Sequence, residues 1–258
     1  MGRISESKDW LALLLWGLES LARPTPFNIL RSFESWDYEH RLRPQLRNLE
    51  RARLLERRGT GQDLTCHLTP QGRLVACGGV DPAQRWRRPW DGKWRLLLFD
   101  LPSHKTQLRL RLWRWLRSHR FGYLQNSVWI SPDPLSEEEL PLKHLKLTPE
   151  SFTVIEGRPA APDSDADLVR SAWDFATINR HHHSVLNLGR RGLDLAKHAD
   201  PKPGVLRQWL ADEREQWLTA INTDPLLPDA LLPSGYFGRE AWKLRHTAYL
   251  ALSRHGIN

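Results

Sequence analysis

The chain has 258 residues, 40% hydrophobic and 26% charged, with 38 Lys+Arg against 30 Asp+Glu, 13 Trp and two Cys. A chain of this length buries roughly three quarters of its unfolded surface and, at about 100–200 residues per domain, holds two or three packed units, which argues against disorder. The longest apolar runs, such as Leu11–Trp16 and Leu96–Phe99, fall far short of the roughly 20 residues that cross a bilayer, and the amino terminus shows no small-residue cleavage site, so a soluble, cytoplasmic protein without a membrane partner is expected. Cys66 and Cys77 form no CxxC pair, and His67 beside Cys66 still leaves a tetrahedral zinc site short of a ligand. Both read as reduced thiols, with no metal and no cofactor.

The net charge of +8 is unevenly spread: +5 over residues 1–93, +3 over 94–158 and zero over 159–258. Charge of this kind speaks to partners rather than to fold. Trp10, Leu13, Leu14, Leu18 and Leu21 recur at helical spacing, and Pro24-Thr25-Pro26 ends that helix and starts another carrying Phe27, Leu30 and Phe33 inward. Leu42, Leu46, Leu49 and Ala52 form the apolar stripe of a third helix. Pro44 puts its regular start near Arg43, since proline is tolerated only in a first turn. Leu54–Glu56 and Leu64–Leu68 read as two short strands around the turn-forming run Arg57–Asp63. Three helices and a β-ribbon make a winged helix-turn-helix pattern over residues 1–80.

Residues 81–92 read as a hinge, with Pro82, Pro89 and Gly92 among the aromatic and basic residues Arg85–Trp90. A strand over Lys93–Leu101, a helix over Thr106–Arg120 with Leu108, Leu112, Trp115 and Leu116 on one face, a second strand marked by Leu124, Val128 and Ile130, an acidic segment Ser136–Lys146 and a third strand Ser151–Ile155 suggest a small α/β sandwich over 93–160. Leu110 and Trp113 fall outside the helix's stripe and give it a second apolar side suited to a domain or subunit contact. The remainder, 161–258, is helical, with a linker at 162–167 ending in an N-cap, helices over Leu168–Leu188, Val205–Ile221 and Arg239–Ser253, and a proline-pinned turn from Asp224 to Pro233. The fold class is therefore α+β.

The third helix carries the chemistry. With Leu42 at the centre of its apolar stripe, Arg41, Arg47, Asn48 and Arg51 lie opposite and Arg43 and Gln45 flank that face, and there are seven arginines between positions 41 and 58 against Glu50 and Glu56. Arginine pairs with guanine and Asn or Gln with adenine in the major groove, so Arg41, Arg43, Gln45, Arg47 and Asn48 suit a double-stranded DNA site, the last four at base edges. Arg51, Arg53, Arg57 and Arg58 suit phosphates. Asp100, at a strand end, could hold Mg²⁺ for phosphodiester cleavage, but no partner acid stands in the strand, so a metal-dependent nuclease is the alternative and a non-enzyme the reading. Consecutive His181, His182 and His183 cannot all face one ion and read as polar helix surface.

The segments Trp90–Pro102, Phe121–Pro132 and Asp224–Pro233, in this order along the chain with the helix Arg109–Arg120 between the first two, resemble the PaaX-like transcriptional regulators, named for the repressor of phenylacetate degradation. The resemblance implies an amino-terminal winged helix-turn-helix, a middle ferredoxin-like domain similar to the CRISPR-associated adaptation nuclease, and a helical carboxy-terminal domain for dimerisation and effector binding. It also implies a homodimeric repressor on a DNA operator, released by a small-molecule effector that in the type member is an aryl-acetyl-CoA thioester.

Overall fold

Pro44 fixes where the first described helix begins: α1 spans Arg43–Arg51, with proline in its first turn as expected. The computed structural model describes residues 43–58, 65–101, 106–135, 152–197 and 203–254. The two helices expected before residue 40, Arg41, Leu42 and the acidic segment 136–146 lie outside these residues. Along the chain follow β1 (Leu55–Arg58), β2 (Thr65–Leu68), α2 (Pro70–Ala76), α3 (Pro82–Arg87), β3 (Trp94–Phe99), α4 (Thr106–Ser118), β4 (Gly122–Gln125), β5 (Val128–Ser131), β6 (Phe152–Gly157), α5 (Asp165–Ala172), α6 (Phe175–Leu195), α7 (Pro203–Thr223), a 3₁₀ turn (Asp229–Leu231) and α8 (Gly238–Arg254). Helices and antiparallel sheets together make the fold α+β, as expected.

The described residues form two compact units. One joins the chain up to Asp81 with Asn179–Ile221 and the stretch from Phe237, and the other joins Pro82–Ile178 with Asn222–Tyr236. The segment after residue 160 therefore contributes to both.

In the first unit, α1 buries Leu46 and Leu49 in a core shared with Leu55, Leu68, Trp209 and Tyr249. Ala52, expected on the stripe, is exposed, because the helix ends at Arg51 and Arg53 takes a left-handed φ of 55° that turns the chain into β1. β1 and β2 pair antiparallel, Leu55 opposite Leu68 and Arg58 opposite Thr65. The short helix α2 was not expected from the sequence. Thr69 caps it, accepting from the Gly72 amide at 3.0 Å and donating to the Arg53 carbonyl at 2.7 Å. Gly72 rests so closely on the ribbon that a Cβ there would stand 1.9 Å from the Leu54 carbonyl oxygen. Within α6, His182 is fully buried, His181 is half-buried and His183 is exposed beside the Phe237 ring, so the polar-surface expectation fails at His182. His182 continues the stripe Ile178, Val185 and Leu186, which the core claims.

The second unit is built on a four-stranded sheet of order β4-β5-β3-β6, every neighbour antiparallel. The central strand β3 alternates between two cores. Leu97 and Phe99 face α4 with Leu112, Leu116 and Trp129, while Trp94 and Leu96 face α5 and the proline-pinned turn with Ile130, Val169 and Leu227. Burial on both faces explains its near-continuous apolar run. The stretch expected as one strand is two, β4 and β5, reversed at Asn126 with a left-handed φ of 41°. Residues 81–92, expected as a hinge, contain α3 with Trp86 buried. The helix expected over Leu168–Leu188 is broken at Trp173, after which Asp174 accepts from the Thr177 amide at 3.0 Å to start α6. Trp113, expected to point at another surface, folds back on the sheet beside Trp129 and Tyr123, its long side chain reaching from the flank of the helix.

Candidate nucleic-acid interface

The geometry of α1 follows from its sequence: two leucines three positions apart face the core, so the intervening and following polar residues face outward. Arg47, Asn48 and Arg51 are exposed, and Arg51 Nη1 donates to Asn48 Oδ1 at 3.4 Å. Arg43 and Gln45 lie in the same helix, and their side chains fall outside the described set, as does all of Arg41. Arg53 is exposed at the left-handed turn, and Arg57 and Arg58 are exposed on β1. α1, the turn and the ribbon thus bring Arg47, Asn48, Arg51, Arg53, Arg57 and Arg58 into one continuous stretch of backbone, held from behind by the Thr69 cap and the Gly72 contact.

Two acids temper this surface. Arg57 forms an ion pair with Glu50, and Arg58 with Glu56. In the sequence alone Glu50 and Glu56 register only as charge. The spacing of Glu56 and Arg58 is a usable signal, because residues two apart on a strand share a face, whereas Glu50 and Arg57 lie on different elements.

In the second unit, Asp100 is exposed just beyond the end of β3, and among the described residues no group of three or more His, Cys, Asp or Glu is arranged to hold a metal ion. The polar residues here form structural networks. Asp133 accepts from Arg85 Nη2 and Arg88 Nε, each at 2.6 Å, and Arg88 Nη1 reaches the Leu226 carbonyl at 2.5 Å. Burial opposes the Asp133 carboxylate, but the hydrogen bond from Arg88 and the charges of both arginines outweigh it and hold the carboxyl below its ordinary range. Arg120 donates to the Asp224 carbonyl, and Tyr236 donates to the Asp224 carboxylate at 2.5 Å. A pocket of about 270 Å³ lies between α5 and the proline-pinned turn, bounded by Asp165, Val169, Arg170, Leu231 and Pro233.

Residues 87–169, which hold this sheet, match the family described as the PaaX protein central Cas2-like domain. That segment is PaaX-like. The whole chain also matches the uncharacterized protein Rv0674 from Mycobacterium tuberculosis, with a TM-score of 0.54 at 24% identity over 96% of this chain and 95% of that one. At that identity the likeness is one of fold. No curated protein matches this chain. The family points to transcriptional regulation in general, and to a regulatory rather than an enzymatic role. Among the described residues, no helix is long and apolar enough to cross a membrane.

Proposed function

We propose that this chain is a DNA-binding transcriptional regulator that reads duplex DNA with α1. The observation that carries this is the two-sidedness of α1 and its ribbon: Leu46, Leu49 and Leu55 are buried while Arg47, Asn48, Arg51, Arg57 and Arg58 face out from consecutive elements. In this reading residues 1–80 are a winged helix-turn-helix domain, Arg43, Gln45, Arg47 and Asn48 touch base edges, Arg51, Arg53, Arg57 and Arg58 bind phosphates, and Arg41 belongs to the same DNA-binding set. The sheet order β4-β5-β3-β6 supports a ferredoxin-like middle domain. The segment after residue 160 serves dimerisation and effector reception. The regulator is a homodimeric, cytoplasmic repressor whose recognition helices enter successive major grooves, about 34–36 Å apart or a multiple of it. A small-molecule effector releases it by binding the non-operator geometry more tightly, and an aryl-acyl-CoA thioester is the class the family resemblance suggests.

The test is selection of bound duplexes from a randomised pool, followed by binding at fixed salt. Replacing Arg47 and Asn48 with Ala should abolish preference for the selected sequence and leave weak binding to any duplex. Undiminished preference would remove α1 from the reading.

A further inference from the structure

The helix α4 carries Arg109, Arg111, Arg114 and Arg117 and not one acid. At 100° per residue the buried side of α4 is set by Leu108, Leu112, Trp115 and Leu116; Gln107, Leu110, Arg114, Arg117 and Ser118 lie on the opposite side and Arg111 on its flank. All six are exposed. Arg109 turns away to donate to the Leu101 carbonyl at 2.6 Å, which leaves Arg111, Arg114 and Arg117 as a strip along the outer face.

A solvated outer helix face ordinarily interleaves acids and bases three or four positions apart, because such pairs stabilise it by about 0.2–0.5 kcal/mol each. This one has no acid to pair, and none of the three guanidinium groups forms an ion pair with a described residue. The contrast with β1 is direct, since Arg57 and Arg58 there are both ion-paired. A cation in the last turn complements the helix dipole and gives Arg117 a local reason to exist. Arg111 and Arg114 sit mid-helix and have no such reason. The type of cation is also informative: all are arginines, whose planar fork binds phosphate oxygens bidentately.

We infer that the outer face of α4 is a second nucleic-acid contact, in which Arg111, Arg114 and Arg117 bind consecutive phosphates of duplex DNA without reading sequence. The three positions span about 9 Å along the helix axis, and phosphates of one strand advance about 3.4 Å per step, so two or three phosphates fall within reach of the strip. The exposed Leu110 and Ser118 beside them match the sugar-phosphate surface, where apolar and hydroxyl groups alternate with charge. The inference rests on the DNA-binding reading above, and places in the other compact unit a contact that tightens binding to any sequence.

The experiment uses the full chain and a fluorescein-labelled duplex of arbitrary sequence, with binding measured across a salt series. The triple variant Arg111→Gln/Arg114→Gln/Arg117→Gln should lower the slope of log K against log salt by about 2 to 3, since each phosphate contact contributes about 0.9. Arg114→Gln alone should lower it by about 1, which keeps the test open should the triple variant fold poorly. The corresponding triple Arg→Lys variant should keep the wild-type slope. An unchanged slope in both Gln variants would overturn the inference. So would a loss of binding to phosphatidylserine vesicles without a change in the DNA slope, which would mark the strip as a lipid-facing surface. Arg47→Ala/Asn48→Ala separates the two readings. If that variant keeps sequence preference while the Gln variants lose slope, the α1 reading fails and the α4 contact stands. Loss of preference with unchanged α4 slopes gives the reverse.

Discussion

Arg245 and Glu213 face each other in the interior of the first unit, fork to fork, with Nε 2.6 Å from Oε1 and Nη2 3.2 Å from Oε2, and both side chains are 1% exposed. Tyr249 donates to the same carboxylate at 2.5 Å, and the guanidinium lies 4.8 Å over the Trp217 ring and 4.9 Å over that of Tyr249. Burial opposes the charge on Arg245, but Glu213 outweighs it and raises the guanidinium's pKa, while burial and then Glu213 raise that of Tyr249 well above its usual value.

Removing one partner leaves the other as an uncompensated buried charge. Glu213→Ala should therefore cost about 3–5 kcal/mol, read as a shift of the urea midpoint at neutral pH. The double variant Glu213→Leu/Arg245→Met, which removes both charges and keeps bulk, should be more stable than the single one. If the double variant were the less stable, the pair would be net stabilising over an apolar replacement and this account of it would fail.

Asp133 supplies a pH dependence. Its folded pKa lies below the ordinary 3.8, so its contribution is fully present above that pH and is lost as the pH falls through the folded value. Asp133→Asn should destabilise the protein by about 1–3 kcal/mol at neutral pH, because Arg85 and Arg88 lose an anionic partner. The difference between wild type and variant should then shrink as the pH falls below 3.8. A denaturation series in acid checks this, and a constant difference would show that Asp133 stabilises by shape alone.

Thr69 joins α2 to the turn at Arg53 through one hydroxyl. Thr69→Ala should cost about 1 kcal/mol, the usual value of an N-cap, and Thr69→Ser should cost less because it keeps both hydrogen bonds. Hydrogen exchange at the Gly72 amide gives a local readout: faster exchange in the Ala variant and near-normal exchange in the Ser variant are expected.

Glu50 and Glu56 hold two arginines of the proposed DNA surface in ion pairs. Glu50→Ala/Glu56→Ala should free them, so that binding to a duplex of arbitrary sequence strengthens and its salt slope steepens by about 1 to 2. Weaker binding would mean that the glutamates orient Arg57 and Arg58 toward the phosphates rather than compete for them.

The start of α1 was legible because proline constrains a first turn whatever surrounds it. Its end was not, since Ala52 fits a helix as well as a turn and only the left-handed Arg53 decides between them. The β4–β5 reversal escaped for a similar reason: Asn126 adopts the conformation for which a glycine would have been the visible sign. α3 is hidden in the sequence because Pro82, close to Gly78 and Gly79, reads as a breaker, although proline also opens helices. His182 was readable in principle from its place on an apolar stripe. Glu213 and Arg245 were not, because 32 residues separate the partners and no local pattern links them. Of the proposed DNA surface, the outward face of α1 came directly from its leucine spacing, whereas the pairing of Arg57 with Glu50 needed the fold that brings β1 back beside the helix.

Gly72 offers a diagnostic for reading other chains of this kind. Where a methyl group would have to stand 1.9 Å from the Leu54 carbonyl oxygen, helix and ribbon meet backbone to backbone with no side chain between them. A related sequence with any other residue at the matching position cannot reproduce that junction. Its ribbon must be seated at a different height against the second helix, and the arginines of the proposed DNA surface would be presented at a different angle, however well the rest of the segment aligns.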